Sequence, residues 1–129
     1  MVVTGVDPGS PLVQEEIFGP IATLLPARNF ADAVALCNRT VYGLSAAVFT
    51  RDLSKGFRFL DEAQAGMVRI NQETAGVEYQ APFGGMKQSS SHSREQGQAA
   101  LDFYSQVKTC AVYYGGGDGA QSDAPAREA

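Results

Sequence analysis

The chain has 129 residues, 44% of them hydrophobic and 19% charged, enough apolar material for the core of one domain of ordinary size. Its formal net charge of −4 argues against nucleic acid and against an anionic membrane surface, both of which call for clustered Lys and Arg. No apolar run approaches the roughly 18 residues that a membrane-spanning helix needs.

Residues 2–6 read as the end of a strand, and their sequence carries no basic stretch followed by an apolar one, so it does not read as a secretory signal. Asp7-Pro8-Gly9-Ser10-Pro11 is a turn cluster that delivers the chain to Gln14-Glu15-Glu16-Ile17-Phe18-Gly19-Pro20. Here two carboxylates, an aliphatic residue and a ring stand directly before a Gly-Pro that cannot continue a helix. Spacing alone leaves two alternatives open. One is a helix end, with the acidic residues on a short turn, Phe18 in the core and Gly19-Pro20 as the stop. The other is a cleft edge where a carboxylate accepts hydrogen bonds from sugar hydroxyls with Phe18 beside it, a recurring device in nicotinamide-cofactor sites.

Ile21-Ala22-Thr23-Leu24-Leu25 is a short apolar run closed by Pro26 and suits a buried strand. Asn29 caps a helix running to about Arg39, with Phe30, Val34 and Cys37 at i, i+4 and i+7 on one apolar face. Tyr42-Gly43-Leu44 punctuates, and 45–50 is a second strand. Asp52 caps a second helix on which Leu53, Phe57 and Leu60 repeat the apolar spacing, and 66–71 is a third strand. Alternating strands and helices predict parallel crossovers and an α/β layer. Residues 72–93 break all periodicity, as functional or disordered loops do. Helix returns over 94–104, with Ala100 and Phe103 or Tyr104 on one side, and 105–114 is a β-rich run. From Gly115 onward the composition cannot build a core and predicts a disordered tail. Cys37 and Cys110 lie far apart in different predicted elements, so no disulfide framework is expected and a reducing cytoplasm is the default.

Inside the long loop, Ala81-Pro82-Phe83-Gly84-Gly85-Met86-Lys87 places two glycines after an aromatic, which allows a tight turn or a close backbone approach. Asn71, at the mouth of this loop, reads more as a tie for its backbone than as a functional amide. His92 has no second ligand at metal spacing and reads as a solvated side chain.

Gln14-Glu15-Glu16-Ile17-Phe18-Gly19-Pro20 resembles a signature of the aldehyde dehydrogenase superfamily. Tyr42-Gly43-Leu44-Ser45-Ala46-Ala47-Val48-Phe49-Thr50, Ala81-Pro82-Phe83-Gly84-Gly85-Met86-Lys87, Ser93-Arg94-Glu95-Gln96-Gly97 and Tyr104-Ser105-Gln106-Val107-Lys108-Thr109 follow in that family's order, so the resemblance covers about 2–113. The stretch Lys87-Gln88-Ser89-Ser90-Ser91-His92-Ser93-Arg94-Glu95 departs from the commoner, glycine-containing version, which is one residue shorter. Together with Thr74-Ala75-Gly76-Val77-Glu78-Tyr79-Gln80 it looks most like the α-ketoglutaric semialdehyde dehydrogenase branch.

The resemblance implies an α/β fold, a mostly parallel strand–helix layer. Residues 1–104 would form the C-terminal part of the catalytic domain, 105–114 an oligomerisation strand, and 115–129 a disordered tail. It further implies NAD or NADP as cofactor, with the Glu16 carboxylate on the ribose of the nicotinamide half and Phe18 packed against the same moiety, while Glu15 faces elsewhere. Phe83 would help to line the substrate tunnel for a small-molecule aldehyde. The family reaction uses a cysteine nucleophile that forms a thioester, a glutamate base and an asparagine in the oxyanion hole. All three are expected upstream of these motifs, with the Rossmann fold. Neither cysteine here has the nucleophile's sequence context, and both are expected to serve in packing. The expected partners are therefore the missing N-terminal portion of the enzyme and further copies, a homo-oligomer joined through 105–114, in the cytoplasm. The chain alone is expected to be inactive. The alternative is a stand-alone interaction module that pairs with a full-length dehydrogenase through its terminal strand.

Overall fold

A computed structural model describes residues 1–113. Tyr114 and the tail assigned to 115–129 lie outside the described residues. The elements are β1 (Val2–Thr4), α1 (Pro11–Gln14), β2 (Ala22–Leu24), α2 (Phe30–Asn38), β3 (Tyr42–Gly43), β4 (Ser45–Val48), α3 (Leu53–Glu62), β5 (Met67–Ile70), β6 (Met86–Lys87) and α4 (Ala99–Phe103). β1 runs parallel to β2, with Val2 opposite Ala22, and β4 runs parallel to β5, with Ser45 opposite Met67. β3 and β6 are antiparallel, so Tyr42-Gly43, predicted as punctuation, pairs with part of the predicted loop. The fold is α/β as predicted. Among the described residues, however, no ladder joins β2 to β4, and the layer is two separate parallel pairs.

The core is small: Val34, Ala46, Phe59, Ala63 and Ala65, with Phe30, Val48 and Val68 packed against them. Asn29 caps α2 as expected, its Oδ1 accepting from the Asp32 N–H at 3.0 Å. Arg28 closes the same turn by donating from Nε and Nη2 to the two Asp32 oxygens, both at 3.1 Å. These bonds, with the Arg28 backbone N–H, hold the Asp32 carboxyl down at about 2. Val34 is buried, but Cys37, expected on the packed face, is exposed.

α3 corrects the expectation more sharply. Asp52 caps it, accepting from the Lys55 N–H at 3.3 Å, yet the buried stripe is Gly56, Phe59 and Ala63. Leu53, Phe57 and Leu60 stand open, at 70%, 58% and 40% exposure. The helix is apolar on two stripes, and the sheet takes the one that contains a glycine. A Cβ at Gly56 would come within 3.2 Å of Ile70 Cδ1, so the missing side chain lets β5 sit close.

Two asparagines tie the ends of these elements by imitating backbone. Asn71 accepts from the Thr50 N–H at 2.8 Å and donates to the Thr50 carbonyl at 2.9 Å, which prolongs the β4–β5 ladder past its last residues. The expected role as a loop tie is met. Asn38 does the same for the chain leaving α3, accepting from the Gln64 N–H and donating to the Glu62 carbonyl, both at 2.8 Å. Lys87 Nζ donates to the carbonyls of Asn38 and Thr40 at 2.9 and 2.7 Å, a cation placed at the C-terminus of α2, where the helix dipole favours it.

The helix predicted over 94–104 is confined to Ala99–Phe103. Glu95 is engaged elsewhere, exchanging both backbone hydrogen bonds with Phe83 at 2.7 and 2.8 Å. Gln96 and Gly97 then take positive φ values of 63° and 51°, outside any right-handed helix. Residues 105–113 form no strand, and Val107 is 99% exposed. A strand exists only against a neighbour, and among the described residues this segment has none. No described helix is long and apolar enough to cross a membrane.

Candidate functional site

α1 ends at Gln14, where the Glu15 N–H donates to the Pro11 carbonyl at 2.9 Å. The chain then runs extended, and Phe18 takes φ 53°, a left-handed value that non-glycine residues adopt reluctantly. Phe18 is 88% exposed. The helix-end alternative does not hold in its stop, since α1 ends at Gln14 and not at Gly19-Pro20, and among the described residues Phe18 has no core place.

Glu16 lines a cavity of about 490 Å³ whose walls come from the end of α2, from 42–46 and from Gln88 and Ser89. It also lines a second cavity, of about 450 Å³, together with Phe18. Glu15, expected to face elsewhere, borders this second cavity as well, but of the two carboxylates only Glu16 reaches both. Phe83 is half-buried in a third, smaller pocket of about 220 Å³ with Phe103 and the serines Ser89, Ser90, Ser91 and Ser93. The structure thus brings Glu16 and Phe18 together and sets Phe83 apart. Leu44 and Ser89 are common to the walls of the first cavity and of the Phe83 pocket, as Glu16 is to the walls of the first two cavities.

The Phe83 end is positioned by backbone packing. A Cβ at Gly66 would overlap the Gly84 carbonyl oxygen, so Gly84 and Gly85 lie directly against the start of β5. The close approach expected of the glycine pair is realised with a third glycine as its partner. From the other side, the Gly43 N–H donates to Ser89 Oγ at 3.0 Å and the Gln88 N–H to the Val41 carbonyl at 3.0 Å. The serine-rich stretch is therefore fastened at Ser89, which lines both the first cavity and the Phe83 pocket.

Cys37 also borders the 490 Å³ cavity. Burial of its thiol pushes the pKa up, against an opposing pull from the Lys87 ammonium. At neutral pH the group is a thiol, and the thiolate is the nucleophile in cysteine chemistry. The residue is exposed and has no place in the core, its thiol being only partly covered at the cavity edge, and that cover does not activate it. Cys110 is exposed in 105–113 and not in a strand. His92 is exposed at φ 76°, and among the described residues no three His, Cys, Asp or Glu side chains gather as metal ligands do.

Residues 1–110 match the aldehyde dehydrogenase family. The chain belongs to that family. Among its relatives, the α-ketoglutaric semialdehyde dehydrogenase of Bacillus subtilis is 54% identical over 101 residues, 78% of this chain and 21% of the relative. The α-ketoglutarate semialdehyde dehydrogenase of Haloferax volcanii is 47% identical over 109 residues, 84% of this chain and 23% of the relative. In structure, the chain is similar to Staphylococcus aureus betaine aldehyde dehydrogenase in complex with NAD+, with a TM-score of 0.75 and 39% identity over 80% of this chain and 20% of that one. It is similar as well to an indole-3-acetaldehyde dehydrogenase complexed with NAD+, with a TM-score of 0.77 and 39% identity over 83% of this chain and 21% of the other. The chain spans about a fifth of the length of these aldehyde dehydrogenases.

Lys87 and Asn38, which fasten the walls of the candidate site, were not singled out from sequence. Each acts on backbone carbonyls or N–H groups of residues distant in sequence or irregular in structure, for which no spacing rule exists.

Proposed function

We propose that this segment is part of an NAD(P)-dependent aldehyde dehydrogenase that oxidises a small aldehyde to a carboxylic acid through a cysteine thioester. On this proposal Glu16 and Phe18 hold the cofactor and Phe83 faces the aldehyde. The observation that carries it is the sharing of wall residues, with Glu16 common to the first two cavities and Leu44 and Ser89 common to the first and the Phe83 pocket. The residues fit such a cofactor. An exposed carboxylate at a cavity edge accepts hydrogen bonds from a ribose diol, and an exposed ring beside it offers a flat apolar surface.

Bound there, the nicotinamide supplies a hydride acceptor. The chain's own residues orient and exclude. Glu16 fixes the sugar through charge-assisted hydrogen bonds, Phe18 covers one side of it, and Phe83 keeps water from beside the aldehyde. The nucleophile is assigned to the remainder of the enzyme, since neither Cys37 nor Cys110 stands in the family's nucleophile context. The open stripe Leu53, Phe57 and Leu60 favours a segment completed by the rest of such an enzyme over a self-sufficient interaction module. The expected assembly is a homo-oligomer through 105–114, in the cytoplasm. The two relatives named for the semialdehyde point to α-ketoglutaric semialdehyde as the substrate to try first.

The test is Phe83→Ala in an enzyme carrying this segment. It should lower kcat/KM for the aldehyde about tenfold or more by loosening the fit, while the KM for NAD(P) stays within about twofold. A variant whose aldehyde kinetics match the parent's would remove Phe83 from the substrate site.

A further inference from the structure

Arg69, the third residue of β5, is half-buried, and its guanidinium reaches over the loop at 72–78. Nη1 donates to the carbonyls of Glu73 at 3.1 Å and Ala75 at 3.3 Å, and Nη2 donates to the carbonyl of Gly76. Among the described residues, 72–77 make no other hydrogen bond within the chain. The loop has two other fastenings, and both lie at its ends. Asn71 pins the root to Thr50, and the Ala81 N–H closes a turn onto the Glu78 carbonyl at 2.8 Å. Everything between is shaped by one side chain, and the enclosed space is a cavity of about 500 Å³ bounded by Arg69 and the loop itself.

The exit of this loop leads directly to Phe83. Past the turn, the Tyr79 carbonyl accepts from the Gly97 N–H at 3.1 Å, and Phe83 then pairs with Glu95. The loop and the wall of the Phe83 pocket are thus linked through the short stretch 79–82, by which a displaced loop would act on Phe83. The alternative use of Arg69, as an anion site in the 500 Å³ cavity, is disfavoured. Three of its N–H groups are spent on carbonyls, and Glu73 and Glu78 border the same space.

We infer that Arg69 is a positioning residue for aldehyde selection: by gripping Glu73, Ala75 and Gly76 it sets the loop that shapes the substrate side of the site. This rests on the proposal that Phe83 faces the aldehyde. The residue type suits the task. A planar guanidinium serves several carbonyls from one fixed position, whereas an ammonium is a point donor with no fork.

The experiment uses an enzyme carrying this segment, with Arg69→Met and Arg69→Lys measured beside Phe83→Ala on a short and a longer aldehyde. Arg69→Met is expected to lower aldehyde kcat/KM roughly 10- to 100-fold, unequally for the two aldehydes, as displaced positioning groups do. The KM for NAD(P) should stay within about twofold, and Arg69→Lys should fall between the parent and Met. A purely structural role predicts a lower melting temperature with both aldehydes affected equally, and that result overturns the inference. If Arg69→Met does not fold, Arg69→Lys with parental selectivity has the same force. Phe83→Ala separates the two levels. Altered selectivity in Phe83→Ala but not in the Arg69 variants sinks the inference alone, and parental kinetics in all of them sink the assignment of Phe83 as well.

Discussion

Glu16→Gln in an enzyme carrying this segment isolates one property of the proposed cofactor grip. The substitution keeps the size and the acceptor oxygen and removes the charge. Glu16 is exposed at the edge of the cavities of about 490 and 450 Å³, so in the free protein its carboxylate is hydrated, and its value to binding arises only when a bound ribose covers it. Hydrogen bonds to a charged partner contribute about 1.5–3 kcal/mol, roughly twice the neutral kind. At 1.36 kcal/mol per factor of ten, losing one such bond entirely lowers cofactor-dependent kcat/KM about 10- to 150-fold. A glutamine that retains a neutral bond keeps part of this, so about tenfold is the expected floor. Steady-state rates with NAD(P) varied at saturating aldehyde measure it, and the aldehyde KM at saturating cofactor should not move.

Glu15→Gln is the internal control. Glu15 borders the cavity that holds Phe18 but not the 490 Å³ cavity, so a device that depends on the junction of the two uses Glu16 alone. The expected change for Glu15→Gln is within about twofold, as for a surface substitution away from special features. Equal losses in both variants would show a general electrostatic field and not a ribose grip. Unchanged cofactor kinetics in Glu16→Gln, with a lowered melting temperature, would make Glu16 a structural residue.

Two further outcomes are expected. Asp32 titrates near 2 against an ordinary 3.8, so the contribution of the Arg28–Asp32 clamp is fully present above about pH 4 and is lost as pH falls through 2. NMR titration of the Asp32 carboxyl checks this, and a midpoint near 3.8 in the parent, unmoved by Arg28→Ala, would show that the clamp does not form in solution. Val107→Pro removes a ladder donor from 105–113 and should break the oligomer of an enzyme carrying this segment, while Val107, at 99% exposure, has no packing within the chain to lose. Light scattering decides it, and a variant with the parental assembly rules the segment out as an intersubunit strand.

Local signals were legible where the chain answers to itself. Asn29 and Asp52 cap the helices that their positions predicted, and β4 and β5 fall inside the apolar runs assigned to them. The failures share a cause. Periodicity says that a helix has an apolar face, not which of two stripes its own chain will cover, and α3 carries two, about a quarter-turn apart. Likewise 94–104 has helical spacing, but the backbone pairing of Glu95 with Phe83 claims its first residues, and that contact crosses a loop whose path no local rule supplies.

The candidate site divides along a different line. Nothing in the pattern of apolar and polar residues singles out Phe18. An aromatic next to a glycine and a proline is ordinarily placed in a core, and only the likeness of the whole string to a family signature put it at a cofactor edge. The structure bears on that choice through cost. A phenylalanine left 88% exposed at φ 53° gives up its hydrophobic burial and accepts a disfavoured backbone. Residues in such conformations persist where surroundings over-determine them, and they gather at ligand clamps. In this chain the surroundings of Phe18 are the cavity it shares with Glu16. An occupant of that cavity would bury the ring and repay part of both costs.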